Sequence, residues 1–161
     1  MELLIRNKWV SFSGSSSVKD INENDKFFVQ GQAFSLSRKK YVQSLEHKDL
    51  YMVRNKIFYF FEKKALVYNN KEEIVARVKR KFFSLHDHYR IESSLGDLQI
   101  RGNIFEFNYS ITLNGKEVGH IARRVSVRDS FVLTLDDDLE AAFFVALVIA
   151  IDLITDRKQQ S

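Results

Sequence analysis

The 161-residue chain has no cysteine, no proline and only six glycines. Without cysteine it holds no disulfide framework, no thiolate metal site and no cysteine nucleophile, which fits a reducing compartment or a secreted fold that needs no staples. Without proline, its turns must be made with Gly, Asn, Asp or Ser. Catalytic signatures are missing too: there is no Gly-x-Ser-x-Gly elbow, no His-Glu-x-x-His and no dinucleotide-binding glycine pattern, so the chain reads as non-enzymatic. The start, Met1-Glu2-Leu3-Leu4-Ile5-Arg6, carries an acid where a signal peptide needs positive charge, and Arg6 ends its apolar run. It reads as the first strand of a cytoplasmic protein.

What is present is 45% hydrophobic and 29% charged residues, the composition of one folded domain over residues 1–161. Its main feature is a repeat. Six segments open on a β-branched residue and return to apolar or aromatic ones: Ile5–Val10, Val29–Phe34, Val53–Phe58, Val78–Phe83, Ile100–Phe105 and Ile121–Ser126. Their first residues are 24, 24, 25, 22 and 21 positions apart. Between them lie further strand-like stretches at Tyr41-Val42, Leu66-Val67-Tyr68, Tyr89-Arg90-Ile91, Tyr109–Leu113 and Phe131–Leu135, joined by turns such as Asn69-Asn70-Lys71, Leu95-Gly96-Asp97 and Asn114-Gly115. Six two-stranded units give about 12 strands over residues 2–135, too many for an open sheet, and closure into an antiparallel barrel removes the edges. The third repeat position is Asn7, Gly31, Asn55, Arg80, Gly102 or Arg123. Since Asn and Gly tolerate positive φ, the pattern predicts a bulge there, with left-handed backbone at Asn7, Gly31, Asn55 and Gly102.

The end of the chain changes period. After Asp136-Asp137-Asp138 and Leu139-Glu140 come 11 consecutive apolar residues, Ala141 to Ile151. Eleven apolar residues at 100° each cover every face of a helix, so this helix, placed at about 138–155, must be surrounded. Leu139–Ile154 would span roughly 24 Å, short of the roughly 30 Å hydrocarbon core, and includes Glu140 and Asp152. A central plug inside the barrel is therefore expected, with Asp136 to Asp138 at the helix N-terminus and Arg157 and Lys158 at its other end.

Charge is regional. Residues 1–80 hold 16 Lys and Arg against 9 acids, residues 81–161 hold 9 against 12, and Arg38–Lys81 alone carries 13 against 5. Arg54 and Lys56, like Arg77, Lys79 and Lys81, are spaced by two, which on a strand puts each set on one face. With Arg80 these are the candidate anionic-ligand residues, suited to phospholipid headgroups. Nucleic acid is disfavoured, since aromatics near the cations, Phe58 to Phe60, are more simply core. His86 and His88 lack a third ligand and read as surface turn residues, and Asp136 to Asp138 lack the glycine and bidentate Glu of a calcium loop, so no metal or other cofactor is implied. Ser13-Gly14-Ser15-Ser16-Ser17 lacks the Gly-Lys ending of a phosphate loop and reads as a mobile turn.

The segments Leu4–Val10 and Met52–Phe58, the unit Lys79-Arg80-Lys81-Phe82-Phe83-Ser84 and above all Ala146-Leu147-Val148-Ile149-Ala150-Ile151-Asp152 resemble the LURP-one-related proteins of the tubby C-terminal-like superfamily. The resemblance covers essentially the whole chain and implies a 12-stranded barrel around a hydrophobic C-terminal helix. Relatives in that superfamily include tubby domains, which bind phosphorylated inositol lipids, and phospholipid scramblases. The chain has neither the cysteine cluster nor the proline-rich leader of a scramblase, and no motif aligns the tubby lipid-binding residues onto it, so no functional residue carries over. The sequence thus predicts a barrel docking peripherally on anionic lipids at the inner membrane face through its basic surface, or alternatively a module for a protein partner.

Overall fold

The structure, a computed structural model, describes residues 1–6, 15–31, 39–56, 64–81, 87–103, 108–123 and 130–155. Alternating side chains build β1 (Glu2–Arg6), β2 (Ser15–Asp20), β3 (Asp25–Gly31), β4 (Lys40–Gln43), β5 (Asp49–Lys56), β6 (Lys64–Asn69), β7 (Ile74–Lys81), β8 (Asp87–Ser93), β9 (Gly96–Asn103), β10 (Asn108–Leu113), β11 (Lys116–Arg123) and β12 (Ser130–Leu135). Each strand pairs antiparallel with its sequence neighbours, and Leu3 and Ile5 of β1 meet Leu133 and Phe131 of β12. The sheet closes, as the repeat predicts. Ser15 to Ser17, expected in a turn, instead begin β2 and pair with Gln30, Val29 and Phe28.

The first repeat position is the barrel's inner layer: Ile5, Val29, Val53, Val78, Ile100 and Ile121 are all 4% exposed or less. They surround α1 (Ala141–Thr155), in which every residue from Ala142 to Ile151 is at most 8% exposed. The helix packs chiefly against β4 to β7. It begins later than the acids predict. The carbonyl of Glu140 accepts from the amides of Phe143 (3.1 Å) and Phe144 (3.4 Å), while its carboxylate accepts from the Tyr51 hydroxyl at 2.6 Å. Burial and that carboxylate push the Tyr51 phenol above its ordinary range, so it stays a donor. Asp136 to Asp138 lie before the helix rather than in its first turn: the Asp136 amide donates to Val118, and its carboxylate sits 3.6 Å from Lys116. Arg157 and Lys158 lie outside the described residues.

The left-handed backbone sits at the opposite end of the units from where the repeat suggests. Gly31, Asn55 and Gly102 pair in unshifted register with Lys40, Ala65 and Tyr109, and Asn7 lies outside the described residues. Gly102 is glycine for proximity instead. A Cβ there would stand 2.0 Å from the Asn108 carbonyl oxygen and 2.7 Å from the Tyr109 Cα, backbone that cannot yield cheaply. The register shifts occur at Val18/Lys19, Val42/Gln43, Val67/Tyr68 and Ile111/Thr112, leaving Lys26, Leu50, Val75 and Val118 as the extra residues of the odd strands.

Beside three of these bulges one turn is built three times. Its first residue, Asp20, Ser44 or Asn69, has a carbonyl that accepts from the amide three residues on and a side chain that accepts from the amides two and four on. The residue three on, Glu23, His47 or Glu72, holds φ of 64°, 58° or 62°. This is a type I turn followed by a left-handed residue, and the side-chain acceptor stands in for the glycine that the chain lacks there. Asn114-Gly115, with φ of 52° and 82°, makes the tight turn its sequence predicts.

Two outcomes follow for stability. Phe144→Ala, which empties the centre of the plug, lowers unfolding stability by about 3–5 kcal/mol in denaturant titration. Asn69→Ala costs about 1–2 kcal/mol through lost turn acceptors, whereas Glu72→Gly, which removes left-handed strain of about 1 kcal/mol, leaves stability unchanged or raised in the same measurement.

Candidate anionic-ligand interface

Strand parity sorts the basic residues. On β5 to β9 the buried residues Val53, Ala65, Val67, Ala76, Val78, Tyr89, Ile91, Leu98 and Ile100 face the helix side, so the residues between them form the outer face. There Arg54, Arg77, Lys81, Arg90 and Arg101 are exposed, and Lys64 and Lys79 half-buried.

Register then brings them side by side. Lys64 of β6 stands opposite Lys79 of β7, which stands opposite Arg90 of β8, and Lys56 occupies the register position opposite Lys64. A second row runs from Lys81 through His88 to Arg101. A third sets Leu66 between Arg54 and Arg77, and although it is on the outer face Leu66 is only 4% exposed. Acids in the patch are Glu92, whose carboxylate lies 2.5 Å from the Lys79 ammonium, and Asp97 at its margin. The Lys79 hydrogen bond holds Glu92 below the usual carboxylate range.

One predicted member does not belong. Arg80 has the parity of the buried Val78, and its guanidinium is hydrogen-bonded to Asp87, both side chains being less than 10% exposed. Arg80 therefore neutralises a buried carboxylate inside the barrel. Other polar groups join it at the same end: Asn55 donates through Nδ2 to the Leu153 carbonyl of α1 at 3.0 Å, and Lys40 stands 3.7 Å from Asp152. At Asn55 the third repeat position is polar because the helix ends there with a carbonyl that needs a donor.

Asp87 and His88 occupy β8 rather than a surface turn, and they face opposite sides, so they form no common ligand set; His86 lies outside the described residues. Residues on this face that the sequence reading does not group with the cations are Lys64, His88, Arg90 and Arg101. A signal was available for Arg101: the second repeat position reads Arg6, Gln30, Arg54, Lys79, Arg101, Ala122, and this is the outward position wherever its side chain is described.

A closed twelve-stranded barrel filled by one hydrophobic helix, with cations gathered on one flank, defines a class of protein by its fold. The family model for LURP-one-related proteins matches residues 1–152, and the chain belongs to that family. An X-ray structure of a protein from Arabidopsis thaliana is similar, with a TM-score of 0.69 at 16% identity over 95% of this chain and 90% of the other. No curated protein matches the chain. Among the described residues no helix is long and apolar enough to cross a membrane.

The buried pair and the outer pair should respond differently to mutation. Asp87→Ala, which leaves the Arg80 guanidinium buried without its carboxylate, costs about 3–5 kcal/mol of unfolding stability. Glu92→Ala, at the half-exposed pair with Lys79, costs no more than about 1 kcal/mol. Parallel denaturant titrations measure both.

Proposed function

We propose that this chain is a non-catalytic binding module that docks peripherally on anionic phospholipid headgroups through the outer face of β5 to β9, at the cytoplasmic side of a membrane. The observation that supports this is the register itself. Lys64, Lys79 and Arg90 face one another across β6, β7 and β8, and Lys81 and Arg101 flank His88 across β7, β8 and β9. Like charges placed directly opposite destabilise a sheet by a few tenths to about 1 kcal/mol per pair. An anionic surface reverses that sign, contributing about 1 kcal/mol for each Lys or Arg brought near it.

A second reading has its own observation. Ile21, Leu45, Ile74 and Leu95 are 40–73% exposed. They lie at or beside the hairpin turns that join β2 to β9, at the other end of the strands from the buried ion pairs. Apolar side chains on turns, beside Glu23, Glu46 and Glu72, suit a protein partner better than an anionic surface.

Co-sedimentation separates the two. The chain should pellet with phosphatidylserine-containing vesicles more than with phosphatidylcholine alone, and added salt should weaken that binding. Reversing three cations by Arg77→Glu, Lys79→Glu and Lys81→Glu should weaken it by on the order of 100-fold or more. Equal, salt-insensitive background on both vesicle types overturns the lipid reading.

A further inference from the structure

Within the basic face, one imidazole sits where a charge of the same sign surrounds it. His88 on β8 is flanked in register by Lys81 of β7 and Arg101 of β9, with Arg90 two residues along its own strand and Lys79 opposite Arg90. Beyond Arg101 the row continues through Ser110 to His120. Of the carboxylates nearby, Asp87 lies on the inner face with Arg80, Glu92 on the outer face of β8 is paired with Lys79, and Asp97 meets this group through Gln99.

The hydrogen bonds around His88 have two arrangements. Arg101 donates from Nε to His88 Nε2 at 3.3 Å and from Nη2 to Gln99 Oε1 at 2.6 Å. Gln99 Oε1 is also 3.1 Å from His88 Nε2, and its amide is oriented by donating to Asp97 Oδ2 at 2.8 Å. One ring nitrogen cannot serve both contacts in the same protonation state. In the neutral Nδ1–H tautomer, Nε2 accepts from Arg101 and holds that guanidinium along the sheet; with a proton on Nε2, as in the imidazolium, it donates to Gln99 and leaves the Arg101 Nε–H without that acceptor.

We propose that His88, Lys81, Arg90 and Arg101 form one site for a phosphate group, and that its occupation brings a proton from solvent onto His88 and turns Arg101 from the imidazole to the phosphate. The inference rests on the anionic-ligand reading of this face and names the chemistry at its centre. When the site is empty, partial burial, and then Arg101, Lys81 and Arg90, outweigh the Gln99 carbonyl and hold His88 below the ordinary histidine range, so it is neutral at neutral pH. A phosphate among the same four groups opposes those cations and raises the imidazole toward protonation. Binding then takes up a proton. Affinity increases as pH falls through the window between the empty and occupied values, by at most tenfold per pH unit for one proton, and levels off below it. The native state without ligand shows the opposite linkage: because its His88 resists protonation, the part of its stability tied to the neutral ring is present above the ordinary histidine range and is lost as pH falls through it.

The test uses two probes whose own charge is constant over this range, inorganic sulfate as a phosphate-shaped dianion and phosphatidylglycerol vesicles as the lipid source. From about pH 7.5 to about pH 5.5 the full chain should bind both several-fold more tightly, and sulfate should move the His88 ring titration, followed by NMR, to higher pH. His88→Gln keeps an acceptor for Arg101 but has no proton to gain, so it should bind with an affinity that does not follow pH. A His88 titration unmoved by sulfate, or the same pH slope in His88→Gln as in the unaltered chain, overturns the proposal. Salt-sensitive vesicle binding that persists without that slope would overturn this site alone and leave the lipid reading standing. Sulfate coupling to His88 without vesicle binding would support the site and overturn the lipid source in favour of a free phosphate compound.

Discussion

The rest of the structure depends on a helix that has no polar face. From Ala142 to Ile151 the helix is buried on all sides, so no single sheet packed against one stripe could shield it. Only an enclosing wall can, and twelve strands closed by the β1–β12 pairing supply one. The dependence runs both ways. A barrel of this many strands leaves an interior too wide for its own Val and Ile side chains to fill, and the Phe143, Phe144 and Leu147 side chains occupy it. Closure and plug are therefore coupled, since each buries the apolar surface the other presents.

That arrangement creates its own difficulty where the helix ends. The last carbonyls of α1 point into a region walled by apolar strands, and backbone acceptors buried without partners cost free energy. The repeat answers with polar residues on the inner face at that level: Asn55 reaches the Leu153 carbonyl, and Lys40 lies beside Asp152. The Arg80–Asp87 pair belongs to the same polar end. Tyr109, packed edge-on to Tyr89 at 6.3 Å, has its phenol pushed above the ordinary range chiefly by burial. It stays a neutral hydroxyl, compatible with an interior that already contains one charged pair.

How much of this could be read in advance follows from which signals are local. The period of about 24 residues and the 11-residue apolar run are long patterns, and they carried the barrel and the plug. The bulge position was misplaced because Asn and Gly signal two different things. At Asn55 and Gly102 they mark a helix carbonyl to satisfy and a backbone in close approach, neither of which needs positive φ. Asn114 and Gly115 adopt it and carry the signature, whereas Glu23, His47 and Glu72 adopt it without one, since their turns are held by the side chain three residues earlier. Arg80 was grouped with Lys79 and Lys81 by composition, although strand parity separates it from both. Arg90 and Arg101 escaped notice because they lie in the net acidic half of the sequence and join Lys79 and Lys81 only through register.

The outer face of β6 to β9 differs from that of β2 and β3 in a way the fold does not require. Where β2 meets β3 the charges are mixed and paired, with Lys26 and Lys19 lying 3.3 and 3.6 Å from Asp20 and Asp25. That is what a surface chosen only for solvation looks like, because alternating signs relieve repulsion without a ligand. Across β6 to β8 the row Lys64, Lys79 and Arg90 instead sets cation against cation, while Glu92 stands opposite Arg77 and pairs with Lys79. A His88 held neutral between Lys81 and Arg101 spares the sheet a further repulsion. Since the inner residues of these same strands already secure the barrel, nothing in its packing calls for this arrangement. On the reading proposed above, an anionic partner on the outside accounts for it.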